Sequence, residues 1–211
     1  MTGTWVLLAQ LVPASLAERD LQDYRAATLA SAETRVEELN ARGRYDQAKE
    51  FGLAFLDGVG ESARLHYEVG HAFHRTGELQ DAREQYDEAI RLEDSLAEAW
   101  YDRGEVSLLQ EEYDDALHDF GVVVDLRPNH WAGYFRLAEL AARATDLQEF
   151  ERCLALALHH GFTFELILSD ARWIGWAQEP EIGAVIERLA SLSGQEQWLL
   201  KMLTEPQTPQ E

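Results

Sequence analysis

The sequence predicts an all-α fold made of repeated helix-turn-helix units, and three observations support this. The 211-residue chain is 46% hydrophobic and 27% charged, with abundant Ala, Leu, Glu and Arg and only five prolines, a composition that favours helices. The same residue types recur 34 positions apart, as at Gly70 and Gly104 or at Ala82 and Ala116. Each repeat also contains two apolar stripes at helical spacing, separated by a short polar break.

The repeat 63–96 shows how each unit is expected to fold. Its two apolar stripes comprise His66, Val69, Gly70 and Phe73, and Leu79, Ala82, Tyr86 and Ala89. Thr76-Gly77-Glu78 forms the turn between them, and Gly70 lets neighbouring helices approach closely. In the following repeat Pro128 ends the second helix, because proline cannot continue it. This register predicts four repeats, the middle two clear and the outer two degenerate, at 29–62, 63–96, 97–130 and 131–164.

The N-terminal segment 1–28 is predicted to be apolar at first and then to form a capping helix that runs on into the first repeat. Residues 1–17 are either a helix docked on the repeats, in a cytoplasmic protein, or a signal sequence, in a periplasmic one. The absence of Lys and Arg before the apolar run from Trp5 to Val12 favours docking. That run is too short to span a bilayer.

The C-terminal segment 165–203 is predicted to form helices that cap the last repeat, because an end repeat cannot bury its apolar face alone. Trp173 and Trp176 belong to this cap, or else to an exposed aromatic patch that binds a partner. Residues 204–211 have the composition of a disordered tail.

This pattern resembles the tetratricopeptide repeat family. The residues that stand at the family's signature spacing are Trp100, Gly104, Tyr113, Ala116, Phe120 and Pro128, with Trp131 opening the next repeat. The departures are His66 for the usual aromatic residue, Asp94 for proline and Phe150 for alanine. Over about two-thirds of the chain the resemblance implies a right-handed α-solenoid. The terminal segment is similar to those that close many bacterial repeat groups.

The resemblance also implies a concave groove lined by the first helix of each repeat. The predicted partner-binding residues are Arg64, Tyr67, His71, His74, Arg75, Tyr101, Glu105, Leu108, Phe135 and Glu139. Tyr67, Tyr101 and Phe135 share one slot and form an aromatic ladder, which either holds a partner or packs against neighbouring segments. Chaperone-binding members of the family hold a carboxylate at slots that here carry Tyr67, His71, Tyr101 and Glu105, so no such clamp is expected.

The charge and the motifs exclude several classes of function. A net charge of −21, from 39 acidic and 18 basic residues, repels nucleic acid and anionic lipid, but is compatible with a basic partner and with a monomer or weak homo-oligomer. No phosphate-binding glycine loop, nucleophile elbow or HExxH motif is present. We therefore expect no enzymatic activity and no cofactor.

Two candidate reactive groups are better explained by packing. His71 and His74 share one helix face, but the sequence supplies no third ligand beside them, so no metal site is predicted. Cys153 is the single cysteine, which excludes an internal disulfide, and it lies in an amphipathic stretch typical of a small buried residue.

The sequence thus predicts a non-catalytic protein–protein interaction scaffold or adaptor that binds a peptide or a partner protein in its groove. The alternative is a structural or oligomerisation module of a larger assembly, such as an envelope or secretion complex, with the groove filled by the N-terminal segment.

Overall fold

The structure is a computed structural model that describes residues 18–58 and 60–204. Within these ranges the chain forms α-helices and a 3₁₀ turn, without any strand, so the predicted all-α fold is confirmed there. The choice between a docked helix and a signal sequence at 1–17 lies outside the described residues, with the location that depends on it. So does most of the predicted tail, at 205–211.

The chain divides into two compact units, the first ending at Gln110 and the second beginning at Glu111. The first unit contains helices α1 (Glu18–Ala41), α2 (Tyr45–Gly58), α3 (Ala63–Thr76), α4 (Leu79–Leu92) and α5 (Ala97–Leu109). The hydroxyl of Ser62 begins α3 by accepting a hydrogen bond from the Leu65 N–H at 3.2 Å. None of the helices in the described ranges is long and apolar enough to cross a membrane.

The core of the first unit is made by the apolar stripes of α1 to α4. Val36, Leu65, Val69 and Tyr86 are fully buried. Gly70 lies against Tyr86, and a Cβ atom added to it would meet the tyrosine ring at 2.8 Å. The close approach of α3 and α4 therefore depends on this glycine.

The second unit contains helices α6 (Tyr113–Leu126), α7 (Trp131–Arg143) and α8 (Leu147–His159), then a 3₁₀ turn (Phe164–Ile167), α9 (Ala171–Gln178), α10 (Pro180–Leu192) and α11 (Glu196–Thr204). Proline opens α10, at a position where its missing N–H costs nothing. Phe150, Phe162 and Trp173 are fully buried in this unit. Trp173 therefore belongs to the core and not to an exposed aromatic patch.

One left-handed backbone position recurs in the turn between the two helices of each predicted repeat. The residues that occupy it are Gly43 (φ 69°), Gly77 (φ 83°), Glu111 (φ 61°) and Thr145 (φ 55°). After Gly77 the Glu78 N–H donates to the Phe73 carbonyl at 3.0 Å, and after Thr145 the Asp146 N–H donates to the Ala141 carbonyl at 2.9 Å. This bond is typical of a glycine-ended helix, yet the last two turns use residues with side chains.

Replacing Thr145 by glycine is expected to raise the free energy of unfolding by about 1 kcal/mol. A β-branched residue is strained at positive φ, and this outweighs the extra freedom that glycine gives the unfolded chain. Urea denaturation followed by circular dichroism measures the change. Gly77→Ala is the matched reverse substitution and should lose about the same amount. A Thr145→Gly variant less stable than the parent would contradict the strain.

Candidate partner-binding site

Eight of the ten predicted groove residues lie in the first unit and two in the second. Helix α3 carries Arg64, Tyr67, His71, His74 and Arg75, and helix α5 carries Tyr101, Glu105 and Leu108. All of these are half-buried except Arg75, which is exposed. Aromatic residues and arginine are enriched in protein–protein interfaces.

A buried polar bridge joins α1 to α3 beside this surface. The Asn40 Nδ2 donates to the Glu68 carboxylate at 3.0 Å and to the Glu68 backbone carbonyl at 2.8 Å. Arg64 lies 2.8 Å from the same carboxylate and 5.2 Å over the Tyr67 ring. Burial raises the pKa of Glu68, while the Asn40 bond and the Arg64 charge oppose the rise. The bridge therefore fixes Arg64 and Tyr67 relative to α1.

The two histidines pack against tyrosines. His71 meets the Tyr45 ring edge-on at 6.3 Å, and His74 meets the Tyr86 ring at 6.5 Å. Burial lowers the pKa of both imidazoles, and the nearby Arg75 charge lowers it further. Both rings are thus neutral at neutral pH. In the described ranges no group of three or more His, Cys, Asp and Glu side chains is arranged to hold a metal ion.

Asp102 on α5 connects α5 to α3, and the sequence did not single it out. The Tyr67 hydroxyl donates a hydrogen bond to its carboxylate. Burial raises the pKa of Asp102 to about 6, and the negative charges of Glu98 and Glu68 contribute to the rise. Burial likewise raises the pKa of Tyr67. An acid that is costly to ionise therefore lies beside the first tyrosine of the predicted ladder.

The substitution Asp102→Asn is expected to stabilise the protein by about 1–2 kcal/mol at about pH 8 and to have little effect near pH 4. Because the folded pKa lies above the ordinary 3.8, the stabilising contribution of Asp102 is present below that value. It is lost as the pH rises through about 6. The expected gain in stability is smaller than the whole difference in pKa would give, because the Asp102 side chain is half-buried and solvent screens its charge.

The comparison of melting temperatures across this range measures the effect. His71 and His74 titrate with the opposite sign: their lowered pKa means that their contribution is present above 6.5 and is lost as the pH falls. The parent protein and the Asp102→Asn variant both contain these histidines. The difference between their melting temperatures therefore reports on Asp102 alone. A difference that does not change with pH would contradict the raised pKa.

The prediction that Phe135 and Glu139 face a partner needs correction. In the second unit Phe135 lies 5.2 Å from Trp173 and 4.7 Å from Phe162, measured between ring centroids, and is buried. Glu139 is 2% exposed. Its carboxylate accepts a hydrogen bond from the Trp173 Nε1 at 3.0 Å and pairs with Arg136 at 2.5 Å. Both side chains therefore hold α9 onto α7, which leaves them unavailable to a partner.

The functional candidates that the sequence missed are Asn40, Glu68, Tyr86 and Asp102. Asn40 occupies the slot in the repeat 29–62 that His74 occupies in the next repeat, so extending the groove register to that repeat would have found it. The other three lie outside the groove slots, and their proximity depends on how the helices pack.

The lone thiol offers no nucleophile. Cys153 is buried, and burial raises its pKa to about 12, with the hydrogen bond to Glu149 adding to the rise. The thiol is therefore protonated at neutral pH and behaves as a small apolar residue.

The surface of α3 and α5 in the first unit offers hydrogen bonding, ion pairing and aromatic contact.

The chain is similar to tetratricopeptide repeat proteins both in sequence and in structure. Models described as TPR repeat and tetratricopeptide repeat match residues 70–110 and 101–159. Among solved structures, YrrB, titled a TPR protein with an unusual peptide-binding site, is 15% identical with a TM-score of 0.62, and the match covers 80% of this chain and 88% of that chain. MamA from Desulfovibrio magneticus RS-1 is 18% identical with a TM-score of 0.60, covering 82% and 92%.

A third structure is the second TPR domain of human RPAP3 in complex with an HSP70 peptide. It is 22% identical with a TM-score of 0.52, and the match covers 55% of this chain and 97% of that chain. At these identities the likenesses establish the fold alone. A search of curated proteins finds no match to the chain.

Proposed function

Because the chain is a tetratricopeptide repeat protein, we propose that it is a non-catalytic scaffold that binds a protein or peptide partner on its first unit. The binding surface is formed by α3 and α5, the first helices of two successive repeats, and we call it the inner-helix face. Its members are Arg64, Tyr67, His71, His74, Arg75, Tyr101, Glu105 and Leu108. Phe135 and Glu139 are left out, because they are buried.

The observation that carries the proposal is that the Tyr67 side chain is fixed by its neighbours and still partly accessible. Its ring lies under Arg64 at 5.2 Å and beside Tyr86 at 6.0 Å, and its hydroxyl is bound to Asp102. The side chain is held in place by two helices while remaining half-buried. A rigid and partly accessible aromatic residue loses little entropy on binding, and tyrosine is enriched among residues that dominate binding energy.

The chemistry of the inner-helix face favours a basic partner. Glu105 is one of its members, and Glu68, Glu98 and Asp102 lie on the same two helices, in a chain with a net charge of −21. The peptide bound by the human RPAP3 domain, SGPTIEEVD, is acidic. An acidic peptide would be repelled by these carboxylates, whereas a basic one would be attracted and oriented by them.

Selection from a displayed random-peptide library on the full chain tests the proposal. Selected peptides are expected to bind a Tyr101→Ala variant roughly tenfold to thirtyfold more weakly than the parent, as for a central aromatic contact. Tyr24→Ala is the matched control, since Tyr24 is an exposed tyrosine on α1. Peptides that bind both variants like the parent would exclude the inner-helix face.

The same experiment addresses the alternative of a structural module with a self-occupied groove. If residues 1–17 fill the inner-helix face, a chain that begins at residue 18 should select and bind peptides that the full chain does not. Equal binding by the two chains would remove that alternative.

A further inference from the structure

The hydroxyl group of Tyr86 is a buried polar group for which the fold supplies no partner. Tyr86 is 0% exposed, and no hydrogen-bonding group lies within reach of its oxygen among the residues that the structure describes. Such a group costs free energy unless a ligand satisfies it. Its position in α4 is the second-helix aromatic slot of the repeat, where a phenylalanine such as Phe120 in the next repeat would pack without this cost.

The tyrosine lies next to acidic groups. Among the neighbouring charges, the Asp102 carboxylate raises the pKa of the Tyr86 hydroxyl most, and the Glu68 carboxylate raises it less. The Tyr67 ring lies 6.0 Å from the Tyr86 ring, and the Tyr67 hydroxyl donates a hydrogen bond to the Asp102 carboxylate. The Tyr86 ring and the Asp102 carboxylate therefore both lie against Tyr67, a member of the inner-helix face.

The carboxylate of Asp102 retains the capacity to accept more hydrogen bonds. A carboxylate can accept about four, and the bond from Tyr67 occupies one of these sites. The other charges that act on Asp102 are those of Glu98 and Glu68, which are negative as well. The nearby Arg64 is engaged by Glu68 at 2.8 Å. A positive charge placed at Asp102 would relieve this repulsion.

We propose that Tyr67, Tyr86 and Asp102 form a pocket that receives one basic side chain of the partner. Its N–H groups donate to the Asp102 carboxylate and to the unpartnered Tyr86 oxygen, while its aliphatic stem packs on the Tyr67 ring. The inference rests on the proposed function and makes it more specific, since it identifies the residue type by which the partner is anchored.

Titration of the full chain with N-acetyl-arginine amide, followed by nuclear magnetic resonance, tests the pocket. We expect saturable shifts of the Tyr67 and Tyr86 ring resonances, and none with N-acetyl-citrulline amide, which has nearly the same shape and no charge. Asp102→Asn should abolish the saturable shift. Asp81→Asn changes the net charge equally on the exposed first turn of α4 and should leave the shift unchanged. Shifts of equal size with both amides would overturn the proposal.

The decisive variant is Tyr86→Phe, which removes only the hydroxyl. The melting temperature should not fall, because the lost group has no partner. The affinity for the arginine amide should fall roughly threefold to tenfold. If the hydroxyl only fills the core, affinity stays unchanged and the pocket is wrong.

The selected peptides separate this inference from the proposed function. In each selected peptide whose binding requires Tyr101, replacing one particular basic residue by citrulline should weaken binding. With the Asp102→Asn variant, the same replacement should no longer weaken it. Peptides that need Tyr101 but contain no such position would overturn the pocket and leave the scaffold function standing. Failure to select any peptide that depends on Tyr101 would count against the function itself.

Discussion

Trp173→Ala is expected to lower the free energy of unfolding by about 3–5 kcal/mol. The side chain is 0% exposed. Its ring stacks on Phe135 at 5.2 Å and contacts Phe150 at 6.1 Å, while its Nε1 donates to the buried Glu139. Truncation opens a cavity between α7 and α9 and removes a donor from a buried carboxylate. Urea denaturation followed by circular dichroism measures the loss.

Two further tryptophan variants show where the loss originates. Trp173→Phe keeps most of the ring contacts and removes the N–H, and should cost about 1–3 kcal/mol. Trp198→Ala truncates a half-buried tryptophan on α11 that lies under Lys201 at 5.9 Å, and should cost about 1 kcal/mol or less. If Trp173→Ala cost no more than Trp198→Ala, the assigned role in the core would be wrong.

Asn40→Leu is expected to destabilise the first unit by about 2–3 kcal/mol. The amide is 7% exposed and supplies two hydrogen bonds to Glu68, which is itself 5% exposed. After the substitution the buried carboxylate keeps only Arg64 among the partners described above, and the Glu68 carbonyl loses its side-chain donor. The cost comes from desolvated groups left without partners, which exceeds the value of the bonds themselves.

A double-mutant cycle separates this cost from a simple packing defect. Glu68→Leu in the Asn40→Leu background removes the orphaned charge and should recover about 1–2 kcal/mol, because two apolar side chains can replace a buried polar pair at little cost. Losses that add in the double variant would indicate overpacking between α1 and α3. The melting temperature and the urea midpoint of all four proteins give the coupling energy.

The repeat architecture could be predicted because its signals are local and periodic. Gly70 marks a close helix contact, and Gly77 marks a turn. The equivalent turn positions Glu111 and Thr145 gave no such signal, because their left-handed backbone is imposed by the helices on either side. Periodicity thus predicts which elements exist, and packing determines the conformation of the weakest turns.

The site was predicted less well, because it depends on contacts between helices. The groove register placed Phe135 and Glu139 at a surface, but Trp173, which covers them, lies in the C-terminal segment where the repeat pattern has faded. The raised pKa of Asp102 comes first from burial and then from the negative charges of Glu98 and Glu68, and Glu68 lies on another helix. No feature of the sequence around residue 102 indicates that burial.

The recurring left-handed position implies a gradient of local stability along the chain. Glu111 and Thr145 hold a conformation that costs L-residues roughly 1 kcal/mol, whereas Gly43 and Gly77 hold it without that cost. Strain in a folded turn lowers the free energy needed to open it locally. Amide hydrogen exchange should therefore be faster in the last two turns than in the first two. One slot, repeated four times, would then determine where the helix pairs begin to fray.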